Sequence, residues 1–214
     1  RTMLGCMEML QTGTTAVQDD CFFVPEPTTE IIDAVCQAYL DSGMRATIAL
    51  DEPELSEIEK LPFLEALVPP ELRDRLSRRP PTGKDDLLEL YDHLIGTWHG
   101  AHNGRIQAAV SCSAPQRVTP DYFAALDALS RRHDLPFFAH VLETKLQRVL
   151  GIEEFSGRSL VQYIEDLGGL SDRMTLIHGI WVDGADLALL AHRGTSVAHN
   201  PISNLRLGSG VMPF

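Results

Sequence analysis

Short apolar runs rich in β-formers alternate with amphipathic helical stretches along almost the whole chain, and this alternation restricts the fold more than any other feature. The runs are 13–17 (leading into Asp19 and Asp20), 45–50, 105–111, 136–141, 174–178 and 195–199. Each is too uniformly apolar for a half-solvated strand and suits a strand covered on both faces of a parallel sheet. Helical signals fill the gaps. Thr28 or Thr29 can cap a helix through Asp41, with Ile31, Ile32, Val35, Ala38 and Tyr39 on one stripe and Gly43 at its end. Thr119-Pro120 is a cap followed by proline at the first helical position and opens a helix through Arg132, while 183–192 closes on Gly194. The segment 52–79 breaks the rhythm. It is charged and contains Pro53, Pro62, Pro69 and Pro70, so it reads as a helical insertion above the sheet, followed by a helix over 84–102.

Repeated strand-helix units predict an α/β fold with a parallel sheet. Open doubly wound sheets and closed (β/α)8 barrels share the pattern. A dinucleotide fold would carry G-x-G-x-x-G directly after a strand, and Gly208-Ser209-Gly210 lacks that context, which favours the barrel. The 214 residues amount to one domain or a piece of a larger one.

Charge narrows the partners. Lys and Arg number 18 against 30 Asp and Glu, a formal charge of −12. That deficit argues against DNA, RNA or an anionic membrane surface and points to a small-molecule partner. No apolar run approaches the roughly 20 residues that cross a bilayer, and nothing near Arg1 resembles a signal peptide, so a soluble, cytoplasmic protein is expected. Cys6, Cys21, Cys36 and Cys112 form no C-x-x-C pair and read as reduced thiols. A metal would therefore be held by His and carboxylates.

Three successive strand runs end in histidine: Phe137-Phe138-Ala139-His140, continuing through Val141 and Leu142 to Glu143, then Thr175-Leu176-Ile177-His178-Gly179, then Ser196-Val197-Ala198-His199. In a barrel these ends open into one mouth, and imidazoles gathered around a carboxylate suit a transition metal and an activated water. His140 is a candidate ligand and Glu143 a candidate acid/base. Taken singly, a strand-end His bonded to backbone and a Glu favoured by a helix dipole explain each motif equally well. His93, His99 and His102 are read as surface residues of one helix, His133 and His192 as residues near helix C-termini, and Trp98 and Trp181 as packing residues.

Four stretches together resemble the amidohydrolase superfamily. They are Leu10-Gln-Thr-Gly-Thr-Thr-Ala-Val, His140-x-x-Glu143, Ile177-His178-Gly179 and His199-Asn-Pro-Ile-Ser-Asn-Leu-Arg-Leu-Gly-Ser-Gly210. The similarity is to its cytosine-deaminase-like branch, which includes methylthioadenosine/S-adenosylhomocysteine deaminases, guanine deaminases and triazine chlorohydrolases. The resemblance implies a metal-dependent (β/α)8 TIM barrel, of which this chain supplies about strands two to seven. It implies one divalent ion, zinc or iron, with His140 as ligand, Glu143 as acid/base and His178 bonded to the attacking water or the substrate. Substrate contacts fall to Ser113, Gln116, His199 and Asn204. Arg117, beside Gln116, offers a further polar contact.

The implied reaction is hydrolysis of a C–N bond in a nitrogen heterocycle such as a purine, pyrimidine or triazine. Dechlorination and N-dealkylation are the related alternatives. Members of the adenosine-acting group carry His where this chain has Ser113, which weakens an adenosine-type assignment. Neither an H-x-H pair nor an Asp after Gly210 is present, so the chain is expected to be the central part of a longer polypeptide, inactive by itself. A homodimer is expected for the full-length protein.

Overall fold

A computed structural model describes residues 1–213. The chain divides into two compact units: Arg1–Glu52 with Pro81–Ser111, and Pro53–Pro80 with the residues from Cys112 onward. In chain order, the elements begin with α1 (Thr2–Gln11), β1 (Ala16–Cys21), α2 (Thr29–Ser42) and β2 (Arg45–Leu50). Three short helices follow, α3 (Glu57–Lys60), α4 (Leu64–Leu67) and α5 (Pro70–Leu76). Then come α6 (Lys84–Trp98), the irregular turn α7 (Ala101–Gly104), β3 (Ile106–Ala108) and β4 (Val110–Ser111). A 3-10 turn over Pro115–Arg117 leads into α8 (Pro120–His133), β5 (Phe137–Val141), α9 (Lys145–Glu154) and α10 (Leu160–Asp166). The remaining elements are β6 (Met174–His178), α11 (Gly184–Arg193), β7 (Ser196–Ala198) and α12 (Pro201–Arg206).

In the first unit β1, β2 and β3 pair in parallel, with Ala16 opposite Arg45, Cys21 opposite Leu50 and Ala46 opposite Ile106. α2 packs on β2 because its stripe, Ile32, Cys36 and Tyr39, is buried. Thr28 caps α2 by accepting from Ile31 N at 3.3 Å, and Gly43 ends it at φ 79°, a left-handed conformation that glycine adopts without the penalty a Cβ imposes. Tyr91 is fully buried; its hydroxyl accepts from Leu50 N and Ser111 N and donates to Leu50 O.

In the second unit β5, β6 and β7 pair in parallel, with Phe137 opposite Met174, Val141 opposite His178 and Ile177 opposite Ala198. Phe137, Phe138, Ala139 and Val141 are all buried, the two-sided burial expected of a parallel strand. Thr119 caps α8 as its sequence signals, and Tyr122, Phe123, Leu126 and Leu129 form the buried stripe.

Three details differ from the sequence expectations. Asp19 and Asp20 lie within β1 rather than after it. The run 105–111 is interrupted at Ala109, whose N–H turns to Ile48 O at 2.8 Å. The helix expected over 84–102 stops at Trp98, because His99 is extended and Gly100 is left-handed. His93, His99 and His102 therefore do not share a helix: His93 pairs with Asp33 at 2.7 Å, His99 Nδ1 accepts from Ala108 N at 3.1 Å, and His102 sits in the turn at φ 52°. The segment 53–80, read from sequence as helical, holds three helices of four to seven residues, and α3 opens with a full capping box between Ser56 and Glu59.

Candidate active site

The turn after β5 and the turn after β6 are locked together by backbone hydrogen bonds. Gly179 N donates to Val141 O, and Ile180 N and Trp181 N both donate to Leu142 O, each at 3.0 Å. This clasp fixes Glu143 relative to His178. Two residues of this clasp, Leu142 (φ 51°) and His178 (φ 79°), are left-handed without being glycine, as is Ser113 (φ 61°) after β4. Each such conformation costs on the order of 1–3 kcal/mol, and such residues concentrate where function fixes the geometry. Gly179 (φ 58°) follows; a Cβ there would meet Val197 Cγ1 at 3.2 Å, so both its conformation and its space call for glycine.

His140 is half-buried on β5 and doubly tied to one carbonyl: its backbone N–H donates to Ser113 O at 2.7 Å and its ring Nδ1 lies 2.9 Å from the same oxygen. A ring that donates Nδ1–H to a backbone carbonyl presents Nε2 as the nitrogen with the lone pair, the arrangement that orients imidazole ligands toward metal ions. The His140 and His178 ring centroids are 5.6 Å apart. His178 is buried, with Nδ1 2.7 Å from Asn204 Oδ1 and Nε2 3.5 Å from Glu143 Oε1. Burial lowers the His178 pKa and the neighbouring His140 lowers it further, against the opposing pull of Asn204 and Glu143, so the ring is neutral at neutral pH. Glu143 N donates to Gln147 Oε1 at 2.6 Å, just before Thr144 caps α9 by accepting from Gln147 N.

The seven residues singled out from sequence thus have unequal placements. His140, Glu143, His178, Asn204 and Ser113 form one connected group. Ser113 is almost wholly buried: its carbonyl engages His140 and its Oγ accepts from Arg117 Nη1 at 3.3 Å. Gln116 and Arg117 line a cavity of about 170 Å³ together with Glu57, Lys60, Glu143 and Gln147. Gln116 Oε1 is buried with no hydrogen-bond partner among the described residues. His199 follows β7 and is exposed.

The first unit holds a second set of ionisable groups that sequence reasoning undervalued. Burial pushes Asp20 well above the usual carboxylate range, Asp51 adds to the rise, and Ser111 Oγ donates to it at 3.1 Å. Glu52 is pushed up to about 7 by burial and then by Asp51. Tyr39 donates to Asp19 Oδ2 at 2.6 Å. Asp51 and Glu52 directly follow β2, so the strand-end logic applied to the histidines would also have found them.

His140, an imidazole whose Nδ1 faces the Ser113 carbonyl, has the chemistry of a metal ligand, with the Glu143 carboxylate and His178 in the same group. Comparison with known proteins gives the family. Over 212 residues the chain is 29% identical to a 5'-deoxyadenosine deaminase of Methanosarcina mazei, covering 99% of this chain and 42% of that protein. A triazine hydrolase from Arthrobacter aurescens superposes with a TM-score of 0.83 at 23% identity, over 99% of this chain and 44% of that one. An adenosine deaminase from Xanthomonas campestris with bound zinc superposes with a TM-score of 0.73 at 25% identity, over 99% of this chain and 41% of that one. The chain therefore spans about two-fifths of the length of the curated relatives it matches. Its parallel α/β architecture is that of part of the (β/α)8 barrel these structures share. The family model described as "Amidohydrolase family" matches residues 1–214, so the chain belongs to the amidohydrolase family.

Proposed function

We propose that this chain carries part of the active site of a metal-dependent hydrolase that deaminates a nitrogen heterocycle. The observation that supports the reading best is the joining of Glu143 to His178, beside a carbonyl-oriented His140, at the carboxyl ends of adjacent parallel strands. Purines come first as substrates, because the curated relatives include 5'-deoxyadenosine deaminases. Among divalent ions zinc is preferred, since the Xanthomonas campestris adenosine deaminase binds it.

His140 would hold the ion through Nε2. What a bound divalent cation supplies is Lewis acidity, which makes water a competent nucleophile near neutral pH. Glu143 takes the proton from the attacking water and returns it to a ring nitrogen or to the departing amine. His178, neutral and next to Glu143, is the group through which that proton is held or passed. Gln116 and Arg117 provide the polar wall of the neighbouring cavity, where Gln116 Oε1 can accept a hydrogen bond from the substrate. Asn204 and Ser113 act on the substrate through the two histidines they hold. His199 would belong to the rim. The helices of 53–80 form an insertion that contributes Glu57 and Lys60 to the cavity, so Lys60→Ala should alter relative kcat/KM among substrates.

The test is ammonia release by the protein as its gene encodes it, loaded with zinc, from 5'-deoxyadenosine, adenosine, guanine and an aminotriazine. Chloride and alkylamine release are followed in parallel with a chlorotriazine. Ammonia from at least one heterocycle, abolished by Glu143→Gln, supports the reading. Release of chloride or alkylamine alone would reassign the leaving group, and no release from any of them would refute the proposal.

A further inference from the structure

Asn204 is 1% exposed, and its side chain meets His178 rather than solvent. It is held there by its own helix: its N–H donates to Asn200 O, and its carbonyl accepts from Ser209 N, both at 2.9 Å. Oδ1 lies 2.7 Å from His178 Nδ1, whereas Nδ2 is buried with no hydrogen-bond partner among the described residues. A buried amide with one half unsatisfied is a poor packing element, since an apolar side chain of similar size would leave nothing unpaired. What the amide contributes is the contact with the ring.

That contact bears on a chemical question. A neutral imidazole carries one proton, and the partner of one nitrogen determines the state of the other. With Asn204 Oδ1 accepting at Nδ1, the proton resides on Nδ1 and Nε2 presents its lone pair to Glu143 Oε1, 3.5 Å away. Once Glu143 has taken a proton from water, its carboxyl group donates to that lone pair. In the opposite tautomer Nε2–H would donate to the carboxylate and weaken it as a base. His178 is held for this task in a left-handed backbone conformation, φ 79°.

We infer that Asn204 is a positioning residue that fixes His178 as the Nδ1–H tautomer, so that Nε2 can receive the proton Glu143 removes from water. The inference rests on the proposed roles of Glu143 and His178, and it departs from the substrate contact that the resemblance assigns to Asn204.

The experiment uses the zinc-loaded protein as its gene encodes it, labelled with 15N-histidine, with the His178 signals assigned by their loss in His178→Asn. In the wild type Nδ1 should be protonated and Nε2 should not. In Asn204→Leu the ring should lose this preference, and kcat should fall about tenfold or more with KM nearly unchanged. Circular dichroism checks that each variant is folded. Protonated Nε2 in the wild type would overturn the inference, as would an unchanged tautomer in Asn204→Leu or a raised KM with normal kcat. If Asn204→Leu does not fold, the wild-type spectrum and that of Asn204→Ala, which likewise lacks the acceptor, decide the matter. Should no heterocycle be hydrolysed, the proposed function fails while the 15N spectra still answer whether Asn204 sets the tautomer.

Discussion

Proton chemistry at single side chains makes the sharpest predictions. Glu143→Gln keeps size and hydrogen bonding but removes the proton acceptor, so metal content should be retained while turnover falls by ~10²–10⁴. His140→Ala should instead lose metal, and His178→Asn should keep metal and lose rate. Elemental analysis beside turnover separates the three. Glu52 permits a test that needs no substrate. Its folded pKa, about 7, lies above the unfolded value near 4.5, so the folded state binds more protons between these values and loses stability as pH rises through that window. Glu52→Gln should therefore leave the melting temperature nearly unchanged at pH 4 and raise it at pH 8, by the equivalent of about 1–3 kcal/mol. An identical shift at both pH values would show that Glu52 does not titrate in this way.

At the scale of elements, capping connects helix stability to the site. Thr144 caps α9 through Gln147 N, and the Gln147 side chain accepts from Glu143 N, so one helix start also orients the proposed base. Thr144→Ala should cost about 1 kcal/mol in urea unfolding. It should also lower kcat by more than that loss of stability explains, because Glu143 is no longer held. Normal kcat in a destabilised Thr144→Ala would separate the cap from the chemistry. Helix ends were also where sequence reading worked best. Thr28 and Thr119 cap as their patterns require, because a cap needs only neighbours within three residues, while Asp183, read as the first residue of its helix, is its cap. It failed at Trp98, where Gly100 ends the helix earlier than the apolar pattern suggests, and between 141 and 174, where α9 and α10 went unassigned.

For the whole molecule, charge and metal binding are the measurable properties. The net charge of −12 favours cations over anions at the surface. Among the described residues no helix is long and apolar enough to cross a membrane. If zinc binds the folded protein through His140, zinc removal by a chelator should lower the melting temperature, since a ligand that binds only the native state stabilises it by mass action. His140→Ala should melt at the same temperature with and without chelator. A chelator effect that survives in His140→Ala would place the ion elsewhere.

The sequence by itself determined the alternation of strands and helices, their parallel class, most helix starts and the strand-end position of His140, His178 and Glu143. These follow from local periodicity and from chemistry confined to a few residues along the chain. Only the tertiary structure decided which of the candidates meet. Asn204 and His178 are 26 residues apart in sequence and 2.7 Å apart in space, while His199, five residues before Asn204, remains exposed. Likewise, the raised pKa of Glu52 depends on burial, which no local pattern records. Such partnerships are set by strand register and by the turns that lock β5 to β6. Both emerge only when segments distant in sequence compete for the same buried surface.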